Sequence, residues 1–239
     1  MDLRLLAAMA PLVLICTATE GFRHDSIETA EEVLAAMAGR TGLFQVRFAR
    51  TEAEMIAALS PDGLREVSVV MFVHTTGEVA TPRRAGLLQW VADGGAFIGV
   101  HSASDTWHES DQYLEMLGGE FATHPAETTV SVQIDDPAHL STAGLTAPYT
   151  IFEEIYLFGR FSRDRVNMLM SLRAHPETGA PGFFPLAWHK RHGSGRVLYT
   201  ALGHRNETWH TPWFQQHLAG AIEWALGRET RSRRRAVGR

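Results

Sequence analysis

Apolar and polar positions divide the chain into two regimes. In the first hundred residues, continuous apolar runs alternate with stretches in which apolar residues recur every three to four positions. Residues 12–17, 67–73 and 96–100 are such runs, the pattern of strands buried on both faces. Residues 44–49 alternate apolar and polar, as a less central strand does. Between them Ile27, Ala30, Val33, Leu34 and Met37 fall at helical spacing, with Asp25 or Ser26 as cap and Gly39 and Gly42 as the stop. Thr51-Glu52-Ala53-Glu54 is a capping box opening a short helix, and Ser60 to Gly63 reads as a turn. Thr81-Pro82 starts a helix that carries Leu87, Leu88, Trp90 and Val91 and stops at Asp93-Gly94-Gly95. This β-α-β-α-β-α-β order predicts a parallel sheet with helices on both faces.

The second regime has little helix. A short helix is predicted over 112–117, and residues 128–134, 149–158, 166–172 and 184–189 read as strands, a succession that pairs antiparallel. A turn at 193–195 leads into a buried strand over 196–202, a polar loop over 203–211 and a last helix over 212–226. The reading is one domain over residues 1–227. Residues 228–239, with six arginines and no apolar cluster, read as a disordered basic tail.

Composition narrows the function. The 239 residues suit a single large α/β domain, and a net charge of −5 gives no electrostatic reason to expect nucleic acid. The one cysteine, Cys16, excludes an internal disulfide or a thiolate cluster and sits in an apolar run as a small core residue. No run reaches the ~20 apolar residues that span a bilayer. Leu5 to Cys16, behind Arg4, resembles a secretory signal. The same residues read as the first strand, which cleavage after Ala18 would remove. A retained strand and a cytoplasmic protein are therefore expected, with export as the alternative.

Candidate chemistry gathers where the apolar runs end. His24, His74, His101 and His204 each follow such a run at once or within a few residues. In open α/β sheets ligands bind beyond the carboxyl ends of the strands. His101, in Gly99-Val100-His101-Ser102-Ala103, occupies a strand-to-turn elbow of the kind that exposes nucleophiles. Imidazole there suits a base, an acid or a metal ligand, and Ser102 is a weaker nucleophile. Asn206 or Glu207 can orient His204. The loop holding His24 has one glycine and is not a phosphate loop. Glu153 and Glu154, if in one strand, point to opposite faces, one to solvent and one inward, where a histidine or a metal would have to partner it. His108, His139, His175, His189, His192, His210 and His217 read as ordinary surface residues, and Trp107, Trp209 and Trp213 as packing or sugar-stacking rings. No His-Glu-x-x-His or Cys/His finger occurs; a metal site from His24, His101, His124, Glu154 and His204 needs ligands from distant segments.

Six separated segments, Thr-Glu-Gly-Phe-Arg-His-Asp-Ser-Ile (19–27), Thr-Thr-Gly-Glu (75–78), Gly-Val-His-Ser-Ala-Ser-Asp-Thr (99–106), Gly-Gly-Glu-Phe-Ala-Thr-His-Pro (118–125), Glu-Glu-Ile-Tyr (153–156) and Gly-His-Arg-Asn-Glu-Thr-Trp (203–209), resemble the ThuA-like, trehalose-utilisation family. The resemblance covers about residues 11–227. It implies an α/β, flavodoxin-like three-layer sandwich similar to class I glutamine amidotransferases, with a mainly parallel central sheet and an antiparallel extension. Where those enzymes carry cysteine in Gly-x-Cys-x-Gly, this chain has His101, with Ala103 in place of the last glycine; His204 falls at the partner histidine. Loss of the cysteine argues against glutamine hydrolysis, and Cys16 is on the wrong strand to replace it. The resemblance points instead to a small sugar as partner: trehalose, another disaccharide or a 3-keto derivative. A 3-keto group acidifies the C2 proton, so that a base can remove it and the C1 oxygen can leave. On this reading His101 and His204 are base and acid in unassigned order, and Glu154 orients one of them or binds a metal. His24, Asp105, His124 and Arg205 contact substrate. A divalent metal is a candidate cofactor and a homodimer a candidate assembly. The alternative is a non-catalytic sugar-binding or interaction module on an amidotransferase-like shell.

Overall fold

In the computed structural model, which describes residues 10–228, the first apolar run becomes strand β1 (Leu12–Cys16), paired on both sides and buried over most of its length. Its alternation divides the core: Val13 and Ile15 pack on one face of the sheet, Leu14 and Cys16 on the other. Burial pushes the Cys16 thiol well above its usual range, so it stays a protonated core residue. Helix α1 (Ile27–Thr41) follows and buries Ile27, Ala30, Leu34 and Met37, as its spacing dictates. It passes through Gly39 and ends only at Gly42, whose left-handed backbone (φ 61°) lets its N–H reach the Ala38 carbonyl. Ser26 stands at its N-cap without a side-chain capping bond; the hydroxyl is used elsewhere.

Strand β2 (Gln45–Ala49) is the sheet edge on the N-terminal side. Thr51 and Glu54 form the expected capping box of α2 (Glu52–Ala58), each side chain bonding the other's backbone N–H. Thr51→Ala is expected to cost about 1 kcal/mol in urea denaturation. The predicted turn at Ser60 is instead a single helical turn, α3 (Pro61–Leu64), because Pro61 sits at the first helical position and Ser60 caps Gly63. Strand β3 (Val67–Val73), helix α4 (Arg84–Ala92), strand β4 (Ala96–Val100) and helix α5 (Asp111–Leu117) complete the first half.

The second half supplies β5 (Phe121–Thr123), β6 (Thr128–Ile134), β7 (Tyr149–Glu153), β8 (Leu157–Phe158), β9 (Asn167–Ala174), β10 (Pro181–His192) and β11 (Gly195–Thr200), then α6 (Asn206–His210) and α7 (Pro212–Ala225). Nine strands form one sheet in the order β2-β1-β3-β4-β11-β10-β9-β6-β7; β5 and β8 pair separately. From β2 to β11 neighbours run parallel, and from β11 to β7 antiparallel. Residues of α1 and α7 fill the core on one face and residues of α2, α4 and α5 the core on the other. The expected three-layer sandwich with an antiparallel extension is thus present.

Two local expectations fail. Residues 149–158 do not form one strand: β7 stops at Glu153, and 157–158 turn away to pair with β5, a strand not anticipated in the glycine-opened loop. The loop after β11 winds into α6. The tail, apart from Arg228, and residues 1–9 of the signal-like stretch lie outside the described residues. Among the described residues no helix is long and apolar enough to cross a membrane.

Candidate functional site

Strands β1, β3, β4 and β11 are consecutive in the sheet, and the segments that leave their carboxyl ends carry His24, His74, His101 and His204. The strand order reverses direction between β1 and β3, the switch point at which such sheets open a crevice. His74 and His101 both begin their turns with left-handed backbone, at φ 56° and 52°, which few residues with a side chain adopt. This kink at His101 forms the elbow and folds its ring back over the strand ends. Gly99 makes room for it, since a Cβ there would meet Ala103, Leu117 and Tyr199 at 3.0–3.2 Å.

The rings converge. The Nδ1–H of His101 donates to the Ala201 carbonyl (2.7 Å), which turns Nε2 inward. That Nε2 lies 3.2 Å from Nδ1 of His204 and 3.3 Å from Oε2 of Glu154, and the His204 Nδ1 is also 3.3 Å from the same oxygen. His24 packs edge-on against both rings, and its Nδ1 is 3.4 Å from the hydroxyl of Ser102. One nitrogen or oxygen from each of His24, His101, His204 and Glu154 falls within 4.8 Å of all the others. His74 lies beneath His24, its Nε2 3.2 Å from the Ser26 hydroxyl and its Nδ1 without a partner. Tyr156 stacks on His101 and Phe121 on Tyr156, an aromatic wall on the extension side.

The electrostatics follow from burial and these contacts. Burial, with the neighbouring His101 and His204, pushes His24 down to about 3, and pushes His74 well below its ordinary value, so both rings are neutral. Burial alone would raise Glu154, but hydrogen bonds from His101 and His204 hold it far below the usual carboxylate range. Burial alone would lower His204; its hydrogen bond to Glu154, with the charges of Glu153 and Glu127, raises it.

Two acids that strand alternation would send to opposite faces are both interior. Glu153 ends β7 and is fully buried; Glu154 lies past the end of the strand, where alternation no longer applies. The carboxylate of Glu153 accepts from the backbone N–H of Glu154 (3.1 Å), Gly203 (3.3 Å) and Arg205 (3.2 Å) and from the Thr208 hydroxyl (2.6 Å). It thereby fixes the loop that presents His204.

The structure gathers His24, His101, His204 and Glu154 as expected, and sets His124 at the rim, its side chain 44% exposed and its Nδ1 3.1 Å from Oε1 of Glu154. Arg205 binds Glu127 (2.7 Å), whose other oxygen reaches His204 Nε2 (3.4 Å); Glu127 was not anticipated. Asp105 is not brought to the cluster: His108 holds its carboxylate (2.7 Å) and links it to Glu120. Asn206 and Glu207 do not orient His204; Asn206 bonds Thr29 and Glu207 pairs with Arg205. Ser102 is fully buried against His24. Trp107 and Trp209 offer no stacking face, because both are fully buried and donate their indole N–H to Val79 and Gly203 carbonyls.

A family model described as ThuA, trehalose utilisation, matches residues 12–225. No curated protein sequence matches the chain. Among solved structures, a ThuA-like protein of Bacteroides uniformis superposes with a TM-score of 0.73 at 20% identity, over 94% of this chain and 95% of that one. A ThuA-like protein of Parabacteroides merdae gives 0.75 at 16% identity, over 93% and 92%. A β-galactosidase of Bacillus circulans gives 0.59 at 11% identity, over 93% of this chain but 32% of its own. At these identities the likenesses show the fold.

Proposed function

The chain belongs to the ThuA family, and from that premise we propose that it is a carbohydrate-processing enzyme, a lyase or hydrolase of 3-keto-glycosides, whose reaction centre is the strand-end cluster. The observation that carries the reading is the meeting of His101, His204 and Glu154 at mutual distances of 3.2–3.3 Å, with His124 on the outer oxygen of the same carboxylate. His101 has no exposed surface and its Nδ1 is spent on Ala201, so the proton-transfer role expected of it passes to His124.

The Nδ1–H of His124 donates to the Pro125 carbonyl (2.9 Å) and lies 3.1 Å from Oε1 of Glu154, which leaves Nε2 free toward solvent and substrate. In the proposed reaction Nε2 takes the C2 proton of a 3-keto-glycoside, and the C–H electron pair passes into the enolate. The C1–O bond then breaks with its pair on the leaving oxygen, to which His124 returns the proton. Glu154 steadies the transient imidazolium. The Arg205–Glu127 pair at the rim offers hydrogen bonds to sugar hydroxyls. Addition of water to the unsaturated product completes a net hydrolysis.

The test is to incubate the protein with 3-ketotrehalose and follow its loss. His124→Ala is expected to lower kcat about 10²-fold, whereas Asp105→Asn, away from the cluster, leaves it near wild type. Sugar binding without turnover at any metal loading would replace the reading with a sugar-binding module.

A further inference from the structure

We propose that His24, His101, His204 and Glu154 form a divalent-metal centre selective for borderline transition-metal ions. The proposal deepens the function above and rests on it for the use made of the ion, though not for its binding.

Spacing is the first argument. Two donors about 2.1 Å from a tetrahedral ion lie about 3.4 Å apart. His101 Nε2, His204 Nδ1 and Glu154 Oε2 lie 3.2–3.3 Å apart in a triangle, and the fourth ligand atom, from His24, lies within 4.8 Å of each.

The second argument is independent of the first. Metal-bound histidines almost always have the other ring nitrogen held by an outer partner, which fixes the tautomer and aims the donor. Here each of the three imidazoles has such a partner on the side away from the cluster, and the outer oxygen of Glu154 has a histidine beside it. His101 Nδ1 bonds the Ala201 carbonyl (2.7 Å) and His24 Nδ1 the Ser102 hydroxyl (3.4 Å). His204 Nε2 faces Glu127 (3.4 Å) and Glu154 Oε1 faces His124 (3.1 Å). A cluster assembled only for packing has no reason to turn one free donor atom from each of four residues to a common point.

The donor set decides the class of ion. Three imidazoles and one carboxylate suit Zn²⁺, Fe²⁺ or Ni²⁺. They do not suit Ca²⁺ or Mg²⁺, which take oxygen ligands. His124, exposed, with its Nδ1 on the Pro125 carbonyl and 3.1 Å from the outer oxygen of Glu154, stands outside the set, so four of the five ligands considered from sequence remain. A bound ion would supply a Lewis acid for a sugar carbonyl, which would have to enter as a ligand beyond these four.

The experiment strips the full-length protein with chelator and offers Zn²⁺, Fe²⁺, Ni²⁺ and Mg²⁺ separately, reading metal per chain by plasma mass spectrometry and affinity by calorimetry. About one transition-metal ion per chain is expected, with no retained Mg²⁺. The His101→Ala/His204→Ala pair should lose the ion. Glu127→Gln, at the rim, should keep the stripped protein's melting temperature while lowering affinity about 10–100-fold; it serves should the double variant fail to fold. Absence of stoichiometric binding for every ion, or wild-type binding by the double variant, overturns the centre. Stoichiometric, His101-dependent binding without keto-sugar turnover supports the centre and sinks the carbohydrate reading; turnover by protein that binds no ion does the reverse.

Discussion

Glu153→Ala is expected to lower stability by about 4 kcal/mol and to misplace His204. The carboxylate is fully buried and is the acceptor for three backbone N–H groups and the Thr208 hydroxyl. Each buried donor left without a partner costs about 1–3 kcal/mol. Alanine strands four of them, and water entering the gap recovers part of the loss. Two of those donors, on Gly203 and Arg205, flank His204, so the loop's conformation and the ring's approach to His101 depend on this side chain. Glu153→Gln separates charge from shape. Its amide oxygen still accepts, and Thr208 can turn to accept from the new NH₂, but one backbone N–H loses its partner, for about 2 kcal/mol. Burial raises the Glu153 carboxyl above its ordinary value despite the hydrogen bond from Thr208. With the folded value above the unfolded one, the folded state binds the proton more tightly, and wild type loses stability as pH rises through that window. The gap between wild type and Glu153→Gln should therefore narrow from pH 4.5 upward. Urea denaturation of the three proteins measures both effects; a loss below about 1 kcal/mol for Glu153→Ala would refute the account.

Alternation placed only one of Glu153 and Glu154 in the interior, and the structure buries both. The strand ends were legible because buried parallel strands read as apolar runs, and His101 and His204 follow theirs by one and four residues. Once the runs were placed, their carboxyl ends had to share a rim. The extension side obeyed no such rule. Alternation through Glu153-Glu154 presumed a continuing strand, but β7 stops there so that Leu157 can pair with Thr123 in the small β5–β8 sheet. That pairing brings the following loop, with His124, toward Glu154. A two-stranded sheet of three and two residues has no period long enough to detect. Glu127, just before an edge-side strand, likewise carries no local signal: its meaning comes from Arg205 and His204, more than seventy residues away. Of the two readings of the tryptophans, packing is the one that holds for Trp107 and Trp209. Their position beside the candidate loops was correct, but each indole N–H is used to tie a loop carbonyl, which burial makes obligatory.

Acidification below pH 6.5 is expected to remove of order 5 kcal/mol of stability by pH 4.5, through histidines that take no part in the site. His139 and His217, which sequence suggested were surface residues, are buried between the loop after β6 and helix α7. His139 Nδ1 meets the Ser141 hydroxyl, His217 Nδ1–H donates to the Ser141 carbonyl, and neither Nε2 has a partner. A second proton on His217 would sit on the buried, unpaired Nε2, and one on His139 would have to enter Nδ1, which already accepts from the Ser141 backbone N–H. Burial, with the neighbouring His189 and His217, pushes His139 down to about 3, and burial pushes His217 down to about 4. The folded values lie below the unfolded value of about 6.5, so above that pH neither state is charged and nothing is lost. Between 6.5 and 4 the unfolded chain takes up protons that the folded chain refuses, and stability falls as pH drops. Each fully differential group contributes about 1.4 kcal/mol per pH unit. Two groups over two units give roughly 5 kcal/mol, comparable with the whole stability of an ordinary domain. Glu154 belongs to a different window: its folded value is held low by His101 and His204, so its contribution is lost only in stronger acid. Urea midpoints between pH 7.5 and 4.5 test the account. His139→Gln and His217→Gln, combined, should lower stability at pH 7.5 yet flatten the acid slope, so that the variant loses less than wild type by pH 4.5. A wild-type stability that stays level from pH 6.5 to 4.5 would mean that these rings accept protons in place, and that the back of the sheet opens to water without unfolding.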